Sequence, residues 1–123
     1  QFIVYSVNTP IQYALSEYLK DPENYLRLGK FYQEKRDFFL GQTNGSSFRP
    51  LTTEGSYFQV FSYEHLSDKP DTVMAEEMTK VHKVACIPIS VFYKDRTDNR
   101  LLRFCFAKKR ETLEKAAAIL RRI

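Results

Sequence analysis

A seven-residue apolar run near the C-terminus, Leu101 to Ala107, limits the possible folds of this chain more than any other segment. Successive side chains of a β-strand point to opposite faces, so the run would present two different surfaces. One face carries Leu102, Phe104 and Phe106, and the other carries Arg103, Cys105 and Ala107. Both faces are apolar apart from the arginine, which predicts a strand inside a layered domain.

Helical and strand patterns alternate around this run. Helical periodicity or capping signals occur at 9–19, 21–41, 71–81 and 113–123, and strand-like runs at 48–51, 57–63 and 84–87. The second helix, with a capping Asp21 and an expected end at Gly41, would span ~30 Å and suits a strut between two bodies. This order predicts an α+β, sandwich-like domain with a small, mostly antiparallel sheet covered by helices.

Composition excludes several classes of protein. With 43% hydrophobic residues and only four Gly and five Pro in 123 positions, the chain should fold as one globular domain rather than remain disordered. The longest nearly uncharged stretch, 84–93, is half the length that crosses a bilayer, so we expect no membrane association. The net charge of +4 is dispersed, which favours solvated helix faces over a nucleic-acid interface.

The cysteines and histidines do not form a metal-binding pattern. Cys86 and Cys105 make no CxxC pair, and His65 and His82 complete no zinc spacing, so no metal site is expected. Two thiols in apolar runs indicate free cysteines of a reducing compartment, which favours the cytoplasm.

The first eight residues begin without Met in an already apolar segment. Natural N-termini are usually more polar, so we expect this chain to be a piece of a longer protein.

Arg103 is the residue that is hardest to explain structurally. A guanidinium in an apolar strand is costly unless a negative group satisfies it. Three accounts are open: a salt bridge to an acid of this domain, a strand edge in water, or a fixed fork that binds the carboxylate or phosphate of a ligand.

Two weaker features have alternative interpretations. The segment Glu54 to Phe58 places Gly55 before a strand, as an ordinary turn or as a close approach of the backbone to a ligand. The run Ile87 to Tyr93 is interrupted by Pro88, and it suits a strand end above a pocket or plain core.

Several segments together carry a family resemblance. They are Asn8–Gln12, Glu54–Phe58, Ala85–Tyr93, and Leu102–Lys109 followed by Glu111–Leu113. In this order they resemble the C-terminal part of a pyridoxal-phosphate-dependent aminotransferase of fold type I, class I/II, and within it the methionine and kynurenine aminotransferase subgroup. The resemblance covers essentially the whole chain, and the Arg-Phe-Cys-Phe-Ala-Lys segment is its most specific part.

The resemblance implies a role for this chain in the whole protein. Residues 1–21 would be the last segment of the large cofactor-binding domain, and 22–123 the small domain. Arg103 would bind the α-carboxylate of the amino-acid substrate. Tyr5 would approach the active site of the neighbouring subunit of a homodimer, although a buried tyrosine of the large-domain edge is an equally open interpretation.

The resemblance also implies what the chain lacks. Pyridoxal 5'-phosphate would be bound mainly upstream, and no lysine here matches the family's cofactor-binding lysine. No catalytic, cofactor-binding or metal-binding residue is therefore expected in this chain, and the chain alone should be inactive. The whole protein would transfer the amino group of an L-amino acid of methionine, aromatic or kynurenine type to a 2-oxo acid.

Two alternatives treat the chain as a binding module. Aromatic and basic residues on the 101–108 strand resemble those of an RNA-recognition strand, but its glycines are absent and three of the apolar side chains share one face. A ligand-sensing α+β domain is the other alternative.

Overall fold

The computed structural model describes residues 7–123, which divide into two compact units. The first unit ends at Phe31 and the second runs from Tyr32 to Ile123. None of the helices formed by residues 7–123 combines the length and the apolar character that crossing a membrane requires.

The first unit is helical. Helix α1 spans Thr9–Tyr18, α2 spans Glu23–Leu26, and α3 begins at Leu28 and continues to Thr43 in the second unit. Asn8 precedes α1, and its carbonyl accepts the first two hydrogen bonds of the helix. The Asp21 carboxylate accepts the Glu23 N–H at 3.0 Å, which supports the expected capping role of this aspartate.

The expected single helix from Asp21 to Gly41 is interrupted at Arg27. The Arg27 N–H donates to the Tyr25 carbonyl two residues back, so the regular ladder of hydrogen bonds breaks there. A side chain of α1 also contacts α2, since the Tyr18 hydroxyl donates to the Asn24 carbonyl at 2.9 Å. At the other end, the prediction that Gly41 stops the helix was wrong. The helix continues to Thr43, and the glycine with a left-handed φ of 81° is Gly45.

The second unit contains a four-stranded antiparallel sheet, two further helices and the part of α3 that follows Phe31. Its elements in chain order are β1 (Arg49–Pro50), β2 (Phe58–Ser62), α4 (Asp71–Lys80), β3 (Ile87–Pro88), a 3₁₀ turn (Ser90–Phe92), β4 (Leu101–Cys105) and α5 (Arg110–Leu120). The strand order is β1-β2-β4-β3. The sheet and its helices confirm the predicted α+β class.

One face of the sheet forms the core. Leu102, Phe104 and Phe106 are buried together, as the alternation of the strand predicts. Phe61 of β2 meets Phe104 edge to face, with ring centroids 5.6 Å apart. Helices contribute the other side of the core through Phe39, Met74, Met78, Leu113, Ala117 and Leu120. The opposite face of the sheet, which carries Arg103, is only half-buried.

The strand expected at 84–87 lies further along the chain. The Val84 N–H donates to the Met78 carbonyl near the end of α4, so this donor is not available for a hydrogen bond in the sheet. The strand β3 is instead Ile87–Pro88, at the edge of the sheet, where Pro88 needs no ladder donor on its outer side.

Candidate functional site

Arg103 lies in the middle of an interior strand. Its strand, β4, pairs with β2 on one side and β3 on the other, and the residues directly opposite Arg103 are Val60 and Ile87. The side chain therefore does not occupy a strand edge, and its surroundings within the sheet are apolar. Of the three accounts of this arginine, the strand edge in water is excluded.

Two aromatic rings contact the Arg103 guanidinium. Its central carbon lies 4.1 Å from the ring centroid of Phe58 and 4.7 Å from that of Phe92. Phe58 begins β2, whereas Phe92 ends the 3₁₀ turn that follows β3. Cation–π contacts of this kind contribute about 0.5–2 kcal/mol each, depending on how dry the site is.

The rings supply no negative charge and no hydrogen-bond acceptor in the guanidinium plane. The Nε atom of Arg103 is buried without a hydrogen-bond partner among residues 7–123. None of the salt bridges formed within that range involves Arg103. An unsatisfied buried donor costs about 1–3 kcal/mol. Within the described residues, the Arg103 guanidinium is therefore placed by two rings and has no anionic partner, so it can bind a planar anion such as a carboxylate.

A buried carboxylate holds the turn that carries Phe92. Asp71 is 1% exposed, and its oxygens accept the Ser90 N–H at 2.7 Å and the Ser90 hydroxyl at 2.6 Å. An aspartate in the first turn of a helix, as Asp71 is in α4, commonly caps that helix. In the structure its side chain makes no capping bond to its own helix and binds Ser90, 19 residues along the chain. No local pattern indicates this contact.

The same polar cluster contains Asp98 and Tyr63. Asp98 accepts the Asp71 N–H at 2.8 Å, and the Tyr63 hydroxyl donates to the Lys69 carbonyl at 2.8 Å. Burial raises the pKa of Tyr63, and the negative charges of Asp98 and Asp71 raise it further. The tyrosine therefore stays neutral and keeps donating its hydrogen bond.

The largely apolar cavity of the second unit lies away from Arg103. It has a volume of about 420 Å³, with Val84, Leu113 and Ile119 among its apolar walls and three lysines in its lining. Arg103 does not line it. The candidate site is therefore the half-buried face of the sheet around Arg103, Phe58 and Phe92.

Other sequence-derived candidates have separate outcomes. Tyr5 lies outside the described residues. A Cβ added at Gly55 would meet no atom of the described residues within 4 Å, so these residues show no close approach to its backbone. The left-handed φ in this turn, 69°, belongs to the next residue, Ser56.

Within residues 7–123 no group of three His, Cys, Asp or Glu side chains could hold a metal ion. Phe104 and Phe106 are 2% and 1% exposed, which removes them as stacking platforms for RNA bases.

Comparisons with known proteins all indicate one family. The sequence model of "Aminotransferase class I and II" matches residues 1–120. Methionine aminotransferase of Escherichia coli is 43% identical over 124 residues, which span 100% of this chain and 32% of that protein. Kynurenine–oxoglutarate transaminase 3 of Rattus norvegicus is 34% identical, spanning 98% of this chain and 31% of its own length.

Solved structures agree with the sequence comparisons. The crystal structure of Escherichia coli YbdL, described as having a methionine aminotransferase function, matches with a TM-score of 0.93 at 43% identity over 100% of this chain and 32% of its own. The N-succinyldiaminopimelate aminotransferase of Mycobacterium tuberculosis matches with a TM-score of 0.87 at 26% identity, over 98% of this chain and 32% of its own. The chain thus spans about a third of these relatives, in agreement with the expectation of a longer protein.

Proposed function

This chain belongs to the class I and II aminotransferase family, and on that premise we propose that it is the C-terminal part of a pyridoxal-phosphate-dependent aminotransferase. The whole protein would transfer the amino group of an L-amino acid to a 2-oxo acid. The methionine and kynurenine aminotransferases among its relatives favour amino donors with methionine-like, aromatic or kynurenine side chains.

Arg103 is the residue of this chain that we assign to substrate binding. The observation that carries the assignment is its buried Nε atom without a partner, on an interior strand, in a side chain that forms no salt bridge within residues 7–123. A substrate α-carboxylate would supply two acceptor oxygens in one plane, which matches the paired N–H groups of a guanidinium. Held in this way, the amino acid would present its Cα–H bond in one fixed direction.

The cofactor itself would be bound mainly by residues outside this chain. When bound, pyridoxal 5'-phosphate accepts the electron density that develops as the amino acid loses its Cα proton. The rings of Phe58 and Phe92 contact the Arg103 guanidinium and present flat apolar faces beside it, which suits a planar carboxylate, so we assign Arg103 to the substrate rather than to the phosphate. We expect no catalytic or cofactor-binding residue in this chain, which should be inactive alone.

Several further parts of the proposal concern the whole protein. Residues 1–21 would complete the large domain, and 22–123 would form the small domain. We propose a homodimer in which Tyr5 approaches the active site of the neighbouring subunit. The two free thiols, Cys86 and Cys105, support a reducing compartment, and we therefore propose the cytoplasm.

The decisive test is the Arg103→Lys variant of the full-length protein. Lysine keeps the charge but not the paired geometry. Hydrogen bonds to charged groups contribute ~1.5–3 kcal/mol, and ~1.4 kcal/mol is a factor of ten, so kcat/KM should fall by roughly 10- to 150-fold. Steady-state kinetics with several amino acids should show the same loss for each, because the α-carboxylate is common to all.

Cofactor binding and thermal stability of this variant serve as controls and should remain close to those of the wild type. Arg103→Ala should be more severely impaired, since neither charge nor fork remains. A kcat/KM within threefold of wild type for Arg103→Lys would refute the assignment. An equal loss for an amine substrate without a carboxylate would refute it as well.

A further inference from the structure

We propose that Phe92 is a positioning residue that holds the Arg103 guanidinium ready for a carboxylate, and that the buried Asp71–Ser90 pair holds Phe92 in place. This inference rests on the proposed role of Arg103. It extends that role from one side chain to a chain of contacts that joins the start of α4, the 3₁₀ turn and the middle strand of the sheet.

The first step is the restriction of the arginine. A free arginine side chain has several rotatable bonds, and ordering it for a bidentate contact opposes binding through lost rotamer entropy. Phe58 and Phe92 both lie within 4.7 Å of the guanidinium carbon, so the ordering is present before any ligand arrives. The rings restrict the motion of the guanidinium but accept none of its in-plane hydrogen bonds, and Nε has no partner among residues 7–123.

The second step is the placement of Phe92 itself. Phe58 belongs to β2, whose position is fixed by five residue pairs with β4. Phe92 itself pairs with no strand, since it is 58% exposed and ends a 3₁₀ turn of three residues. The sheet reaches only the residue before this turn, where the Ile89 N–H donates to the Leu101 carbonyl at 3.2 Å. A turn this short contributes little stability of its own. Its geometry must therefore be imposed by contacts outside the turn.

A buried carboxylate supplies side-chain contacts of this kind within the turn itself. Ser90, the first residue of the turn, is bound through both its N–H and its hydroxyl to the Asp71 carboxylate, at 2.7 and 2.6 Å. Both partners are buried, Asp71 at 1% and Ser90 at 5% exposure. Two charge-assisted hydrogen bonds in a dry environment are strong and directional. They attach the turn to the rigid start of α4, and with it the ring that covers Arg103.

The test uses the full-length protein and the variant Phe92→Leu, which keeps the apolar volume but removes the ring. We expect KM for α-amino acids to rise on the order of 3- to 30-fold with kcat nearly unchanged, the range that corresponds to one cation–π contact. The second readout requires no turnover. Calorimetric titration with 3-phenylpropionate, which has a carboxylate and no amine, should show Kd weakened by a similar factor.

Rescue and control variants separate positioning from general packing. Phe92→Tyr and Phe92→Trp keep an aromatic face and should bind 3-phenylpropionate within threefold of wild type. Ser90→Ala removes one of the two bonds to Asp71 and should weaken binding in the same direction as Phe92→Leu, whereas Ser90→Thr keeps the hydroxyl and should recover it. Phe38→Leu is the matched control, since Phe38 lies 4.0 Å from the guanidinium carbon of Arg110 in a similar contact elsewhere.

Each result decides one of the two proposals. If Arg103→Lys is impaired but Phe92→Leu binds 3-phenylpropionate like the wild type, the positioning role is wrong and the carboxylate role stands. If Phe92→Leu and Phe38→Leu weaken binding equally, the effect is general packing, and the positioning role is again wrong. If Arg103→Lys itself binds and turns over like the wild type, the carboxylate role fails first.

Discussion

Gln59 and Arg103 show how differently two polar residues can sit in one small sheet. Each has a buried side-chain atom without a hydrogen-bond partner within residues 7–123, Oε1 of Gln59 and Nε of Arg103. The Gln59 amide nitrogen nevertheless donates to the Leu51 and Val60 carbonyls, at 2.7 and 2.9 Å, and so joins the neighbouring strand segments. Gln59 thus has a structural function within the fold, whereas the described residues provide no ionic partner for Arg103.

At the same scale, Cys86 gives a prediction for thiol chemistry. Burial raises the pKa of the Cys86 thiol to about 12. An unfolded cysteine titrates near ~8.5, so the folded chain holds the proton more tightly. Reaction of Cys86 with a disulfide reagent at pH 8 should therefore be at least ~100-fold slower in the folded than in the urea-unfolded chain. The Cys105→Ala variant, followed spectroscopically, isolates this thiol.

The sign of the accompanying stability change follows from the raised pKa. The neutral thiol is favoured in the folded state, so its contribution is fully present below the unfolded pKa and is lost as the pH rises toward 12. The Cys86→Ala variant should show a shallower loss of stability between pH 9 and 11 than Cys105→Ala. A reaction rate at Cys86 that is equal in folded and unfolded chains would contradict the prediction.

Among the elements, α5 depends most clearly on its buried stripe. Leu113, Ala117 and Leu120 recur at helical spacing, and each is at most 3% exposed. The helical periodicity expected over 113–123 is confirmed at these positions, although the helix itself runs from Arg110 to Leu120. It packs in the same core as Phe104 and Phe106, so the helix covers the face of β4 opposite to Arg103.

Leu120→Ala should therefore destabilise the chain substantially. Leu120 is 0% exposed, and truncation of such a leucine loses about 2–5 kcal/mol through the lost burial and the cavity left behind. Urea denaturation followed by circular dichroism measures the change in the free energy of unfolding. Lys115→Ala, an exposed position on the same helix, should change it by less than about 0.5 kcal/mol. Equal changes in the two variants would show that the stripe does not support the fold.

The whole molecule differs from a self-contained domain in its first unit. Helix α1 has no buried residue, and Ile11, Leu15, Tyr18 and Leu19 are each about half exposed. An apolar face of this extent usually marks a surface that another body covers. This agrees with the proposal that residues 1–21 complete a large domain whose other residues are not part of this chain.

At this scale we expect the isolated 123-residue chain to bind a hydrophobic dye or to self-associate through α1. Replacement of Ile11, Leu15 and Leu19 by Ser should reduce dye fluorescence by at least about half, because these side chains form the exposed face. The control replaces Val73, which is 47% exposed in α4, and should have little effect. A strictly monomeric chain that binds no dye would contradict the expectation that an upstream domain covers α1.

The sequence by itself determined the features that depend on the regular spacing of apolar residues within one element. The two faces of β4, the buried stripe of α5 and the α+β class follow from the alternation of apolar residues, because burying one apolar face contributes most of the stability wherever a regular element forms. The segments that carry the family resemblance are also local. Even the anomaly of Arg103 was visible, since a single charge in an apolar strand violates its own pattern.

The tertiary structure alone decided the features that depend on distant partners. The break at Arg27, the shift of β3 to Ile87–Pro88 and the bonding of Asp71 to Ser90 are each set by hydrogen bonds outside the periodic pattern. The placement of Phe92 over Arg103 is of the same kind. A sequence pattern reports which side chains share a face, but a buried donor or acceptor is satisfied by whichever group the folded chain brings within about 3 Å, and that group can lie anywhere along it.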